Sequence, residues 1–90
     1  MELDYKAIGK RVKIARIKAE LKQEQLAERA HLSPTHISNV ETGTTKVSLS
    51  AIISIANALE VTTDDLLCDS VIHATVQFER DIAVNANLKL

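Results

Sequence analysis

Five small polar side chains crowd into seven residues: Ser33, Thr35, His36, Ser38 and Asn39. Their chemistry is recognition rather than catalysis. An asparagine amide sets a donor beside an acceptor, and a threonine sets a hydroxyl beside a methyl group. Thr35 and Asn39 are four apart, so on a helix they share one face. Catalytic alternatives find no support. No nucleophile stands at a spacing that pairs it with a base, and no glycine-rich loop cradles phosphate. His31 and His36 are five apart, and Cys68 and His73 are remote from them, which fits no compact zinc pattern. The chain is therefore expected to be no enzyme and to carry neither metal nor cofactor.

The elements that must position these side chains follow from apolar spacing. A first helix runs from Asp4, its cap, to about Ala19, with Ile8, Val12, Ala15 and Ala19 on one stripe. A second spans Gln23 to Ala30 and turns Leu26, Ala27 and Ala30 inward. Ser33 caps the third, Pro34 occupies its first position, where a missing N–H costs nothing, and Ile37 and Val40 anchor it. Gly43 ends it, at a position that calls for positive φ. After a loop, Ser48 or Ser50 opens a fourth helix carrying Leu49, Ile52, Ile55, Ala56 and Leu59. Thr62 or Thr63 caps a short fifth, with Asp64 and Asp65 at its N-terminal dipole and Leu66 and Leu67 on the core. Two short amphipathic helices joined by a tight turn, the second with small polar groups outward, outline a helix-turn-helix, which sets one helix in the major groove of DNA.

Ninety residues allow one domain, and 46% hydrophobic with 26% charged residues suits a globular chain. The core must be aliphatic, since Tyr5 and Phe78 are the only aromatic residues. A core of this size gains from oligomerisation. One cysteine forms no intrachain disulfide, and no membrane span or signal peptide is visible, so a cytoplasmic location is expected. The net charge of −1 is unevenly spread. Residues 1–40 hold 8 Lys/Arg and 5 Asp/Glu, and residues 41–90 hold 3 and 7, so the groove-binding pattern lies on the basic side.

Residues 69–90 differ in pattern. Of the even positions 72 to 90, nine of ten are apolar, and of the odd positions 73 to 89, one of nine is. That alternation indicates extended chain with one buried face, with Arg80 and Asp81 as a possible bend. A helix is the alternative, because Ala74, Phe78, Ile82 and Ala86 are four apart.

The segments IGKRVKIAR (8–16), LKQEQLAERA (21–30), LSPTHISNVETG (32–43) and LSAIISIANALEVTTDDLL (49–67) together resemble the lambda-repressor-like, or XRE, family of bacterial and phage regulators. The run they define, from Ile8 to Leu67, spans 60 of 90 residues. The resemblance implies an all-α, five-helix bundle containing a helix-turn-helix over residues 1–68, with residues 69–90 as a C-terminal extension, β by its alternation. It implies base contacts from Ser33, Thr35, His36 and Asn39. Asparagine can pair with adenine N6 and N7, and threonine can meet a thymine methyl. Pro34 stands where relatives often carry a polar contact residue. Gln23, Ser38, Thr42, Thr44, Thr45 and Lys46 are the implied phosphate contacts, and Arg16 and Glu41 the implied structural ion pair. Only Lys46 is charged among the phosphate set, so a shallow salt dependence is expected.

Glu20, His31 and Glu60 fall where relatives often have glycine, and Lys22 where they carry a Ser/Thr cap. Ile14 and Ile17 fall where relatives are usually polar. With Ile72, Val76, Phe78, Ile82 and Val84 of the extension, they are expected to form a dimer interface or to pack the extension on its own core. The function expected is that of a sequence-specific DNA-binding transcriptional regulator, a dimeric repressor reading an inverted repeat of double-stranded DNA through helix 33–42, with no membrane or small-molecule partner. The alternative, suggested by the near-neutral charge, is a protein-interaction module or partner-dependent antitoxin on the same fold.

Overall fold

The computed structural model describes residues 3–67. It comprises α1 (Tyr5–Lys18), α2 (Gln23–Ala30), α3 (Pro34–Thr42), α4 (Leu49–Leu59) and a fifth helical segment, α5, over residues 63–67. The expectations for residues 69–90, including Ile72, Val76, Phe78, Ile82 and Val84, lie outside the described residues.

Local chemistry sets where each helix begins. Asp4 accepts from the Ala7 N–H at 3.1 Å, Ser33 from His36 at 3.0 Å, and Ser48 from Ala51 at 3.1 Å. Ser48, not Ser50, is thus the α4 cap. In α5 the Thr62 hydroxyl accepts from the Asp65 N–H while the Asp65 carboxylate accepts from Thr62, a reciprocal capping box. Lys22 supplies no side-chain acceptor at the start of α2, but half of such a box remains. Gln25 Oε1 accepts from the Lys22 N–H at 2.8 Å.

Left-handed corners end the helices. Gly43 closes α3 at φ 73°, and Glu20, His31 and Glu60 take φ 60°, 57° and 56°. These three are the positions where the sequence departs from glycine. A β-carbon in that region crowds its own carbonyl, at about 1 kcal/mol per site.

Ile8, Val12, Leu26, Ile37, Val40, Ile55 and Leu66 form the centre of the core, joined by Ile52, Leu59 and the small residues Ala27, Ala30, Ala51 and Ala56. Two residues depart from the expected stripes. Leu49 is 69% exposed, because the first turn of α4 overhangs the edge of the core and Ala51 takes the inward position. Ala19 is exposed because the chain leaves the helix there.

α1 packs directly on α3 through glycine. A Cβ on Gly9 would lie 2.3 Å from the Val40 carbonyl oxygen and 2.6 Å from that of Glu41. One on Gly43 would lie 2.7 Å from Lys6 Cα. The two glycines let α1 approach the C-terminal half of α3 at backbone distance, which fixes how α3 stands on the body.

Candidate nucleic-acid interface

α3 divides cleanly between inward and outward sides. Ile37, Val40 and Glu41 are buried, and Ser33, Pro34, Thr35, Asn39 and Thr42 are exposed. His36 and Ser38 are half-buried at the margins. Thr35 and Asn39 thus stand together on the solvent side, one turn apart, on a short helix whose other side is held by aliphatic packing.

Ser33 Oγ already accepts from His36 N–H, so it serves the helix first. Its hydroxyl proton is the group left to offer a ligand. Among the described residues the Asn39 amide is nearly free. Its Oδ1 takes only a long contact of 3.4 Å from the Thr44 hydroxyl, so one acceptor site and both N–H donors remain for an adenine-type edge.

The hydroxyls at the C-terminal end of α3 are engaged locally. Thr42 Oγ1 lies 3.1 Å from the Ser38 carbonyl and 3.2 Å from that of Asn39, and 3.0 Å from Thr44 Oγ1. Thr44 Oγ1 also approaches the Asn39 carbonyl at 3.3 Å. Donating to a phosphate would require either hydroxyl to exchange one of these exposed bonds, a step of small net cost. Thr45 is half-buried and Lys46, in the same loop, is exposed.

Gln23 opens α2. The helical ladder there starts with Leu26 N–H donating to Lys22 O, which leaves the first-turn N–H groups available at the positive end of the dipole. Part of the Gln23 side chain is committed: Nε2 donates to Glu41 Oε1 at 3.1 Å.

Arg16 and Glu41 meet in a two-point pair, Nε to Oε2 at 2.7 Å and Nη2 to Oε1 at 3.0 Å. Their side chains are 12% and 2% exposed. Arg16 Nη1 also donates to the Leu21 carbonyl at 2.8 Å. Glu41 therefore ties the end of α3 to α1, to the α1–α2 corner and to the first residue of α2. A carboxylate this deep is tolerable only because charged and amide donors surround it. The Gln23 and Leu21 links and the Gly9 contact escape sequence reasoning. Gly9 had a usable signal, since glycine inside a helix costs about 1 kcal/mol and so implies a packing reason.

Ile14 and Ile17 are 52% and 55% exposed on α1. Among the described residues no group of three or more His, Cys, Asp or Glu side chains is placed to hold a metal, and no helix is long and apolar enough to cross a membrane.

A helix-turn-helix family model matches residues 12–66. Among solved structures, the restriction-modification controller protein C.AhdI from Aeromonas hydrophila is 33% identical, with 70% of this chain and 96% of that chain covered and a TM-score of 0.69. The clp gene regulator ClgR from C. glutamicum is 28% identical over 76% of this chain and 88% of that chain, with a TM-score of 0.70. The P22 c2 repressor, solved in complex with a synthetic operator, is 25% identical over 74% and 96%, with a TM-score of 0.63. No curated protein matches the chain.

Proposed function

The chain belongs to the helix-turn-helix family, of the lambda-repressor-like or XRE type, and on that premise we propose that it is a sequence-specific DNA-binding transcriptional regulator that represses by occupying promoter DNA. The observation that carries this reading is the outward side of α3. Thr35 and Asn39 are exposed together on a helix whose inward residues, Ile37, Val40 and Glu41, are fixed to the body. In the proposed complex α3 lies in the major groove, and Asn39 and Thr35 meet base edges, with Ser33 and His36 at the entry end. Gln23 and the first-turn N–H groups of α2 hold one phosphate, and Ser38, Thr42, Thr44, Thr45 and Lys46 line the second backbone contact. The Arg16–Glu41 pair keeps α3 at the angle the groove requires. The chemistry is binding alone, with no cofactor, and the cytoplasm is the proposed location.

The assembly proposed is a homodimer reading an inverted repeat whose half-sites lie about one helical turn apart. Its support is the number of large apolar side chains left exposed: Ile14 and Ile17 on α1, and Leu49 and Ile53, four apart, on α4.

The test is retention of genomic fragments in excess competitor DNA. Enrichment of a short symmetric sequence is the expected result. Co-purification of a partner protein with no enrichment favours the interaction module or antitoxin instead.

A further inference from the structure

α1 holds a strong excess of positive charge. Lys6, Lys10, Arg11, Lys13, Arg16 and Lys18 lie on it, and no acid does. Arg16 is neutralised by Glu41. Lys6 is the least favourably placed of the rest. It stands in the first turn, at the positive end of the helix dipole, and no acidic residue shares that turn. Lys10 is four residues on, a spacing at which like charges repel. The carboxylate nearest in sequence, Asp4, is turned to its cap bond with the Ala7 N–H at 3.1 Å. Among the described residues the Lys6 ammonium has no hydrogen-bond or ion-pair partner.

Lys6 is nevertheless held in place. A Cβ on Gly43 would lie 2.7 Å from Lys6 Cα, 2.8 Å from its Cγ and 2.9 Å from its N. The backbone and the start of the stem therefore rest on Gly43, and the residue is exposed beyond that contact. Gly43 leads directly into the loop that bears Thr44, Thr45 and Lys46. Thr44 Oγ1 in turn reaches Asn39 Oδ1 at 3.4 Å. Lys6, Gly43, Thr44 and Asn39 are thus successive neighbours, and an unpaired cation stands at the end of a path that begins at the outward side of α3.

Resting on the DNA-binding reading above, we propose that Lys6 is a phosphate contact, its ammonium meeting the DNA backbone beside the loop that follows α3. Lysine meets a phosphate as a point charge and carries no base preference. The phosphate supplies the negative charge that the first turn of α1 lacks. The stem, already laid against Gly43, has less freedom to lose on binding than a loose side chain has. Lys6 and Lys46 then flank one loop, and α1 joins α2 and that loop in holding the duplex.

Salt titrations of the full chain on an enriched duplex and on competitor DNA test this. Lys6→Met keeps the stem and removes the charge, and Lys6→Arg keeps the charge. Lys18→Met makes the same change of charge at the other end of α1, beside Leu59 and Glu60. Lys6→Met is expected to weaken both duplexes by one factor, about eightfold at about 0.1 M salt and about fourfold at about 0.2 M, and to lower the salt slope by about 0.9. Its melting temperature should match the parent, and Lys6→Arg and Lys18→Met should bind as the parent does. A parental slope for Lys6→Met overturns the contact, whether or not affinity and melting temperature fall. An equal effect from Lys18→Met overturns it in favour of net charge. A parent that enriches a sequence while Lys6→Met keeps its slope leaves the DNA-binding reading standing, whereas a parent that retains no DNA overturns both.

Discussion

In the proposed complex Asn39 and Glu41, two residues apart, divide the work of α3 between reading and support. Asn39→Ala removes an exposed amide and leaves packing intact. It is expected to weaken specific binding by about 1–3 kcal/mol, roughly ten- to a hundredfold, with an unchanged melting temperature; titration of operator DNA beside a thermal melt checks both. Glu41→Ala strands the Arg16 guanidinium, itself nearly buried, and releases Gln23. A loss of about 3–5 kcal/mol is expected in urea unfolding, and a Glu41→Ala protein that melts like the parent would contradict that role. The exposed pair on α3 was legible because residue type and a four-residue spacing are local facts. The meeting of Arg16 with Glu41 rested on resemblance, since the partners are 25 residues apart. The share Gln23 takes in it was not legible, because nothing local marks which glutamine atom turns inward.

At the scale of elements, caps and corners were mostly written in the sequence, and contacts between helices were not. Ser33, Pro34 and Gly43 state the start and end of α3 through φ preference and hydrogen bonding. Leu49 misled because apolar spacing shows which face a residue shares but not where the core ends. The three non-glycine corners give a direct forecast. Glu20→Gly, His31→Gly and Glu60→Gly should each stabilise by about 1 kcal/mol, and nearly additively because the corners are separate; chemical denaturation of the single and triple variants measures it. Gly9→Ala should do the reverse. Its methyl would strike the carbonyls of Val40 and Glu41, forcing α1 from α3 at a cost of about 3 kcal/mol, against the gain alanine brings to an isolated helix.

For the whole molecule, the four described connections place Thr35 and Asn39 together on one exposed side and leave Ile14 and Ile17 of α1 and Leu49 and Ile53 of α4 exposed. The order of helices was legible as amphipathic runs punctuated by caps. The alternation read in residues 69–90 lies outside the described residues. Lys46 is the single cation in the loop after α3. The salt dependence of binding should accordingly stay well below the slope of about −9 that ten neutralised phosphates would give. The most direct measurement of the central claim is a comparison of DNA fragments selected by the parent chain and by a Thr35→Ala/Asn39→Ala variant of equal thermal stability. The parent is expected to enrich one symmetric sequence that the variant no longer distinguishes from competitor. Selection of the same sequence with the same affinity by both proteins would contradict the assignment of α3 as the reading element.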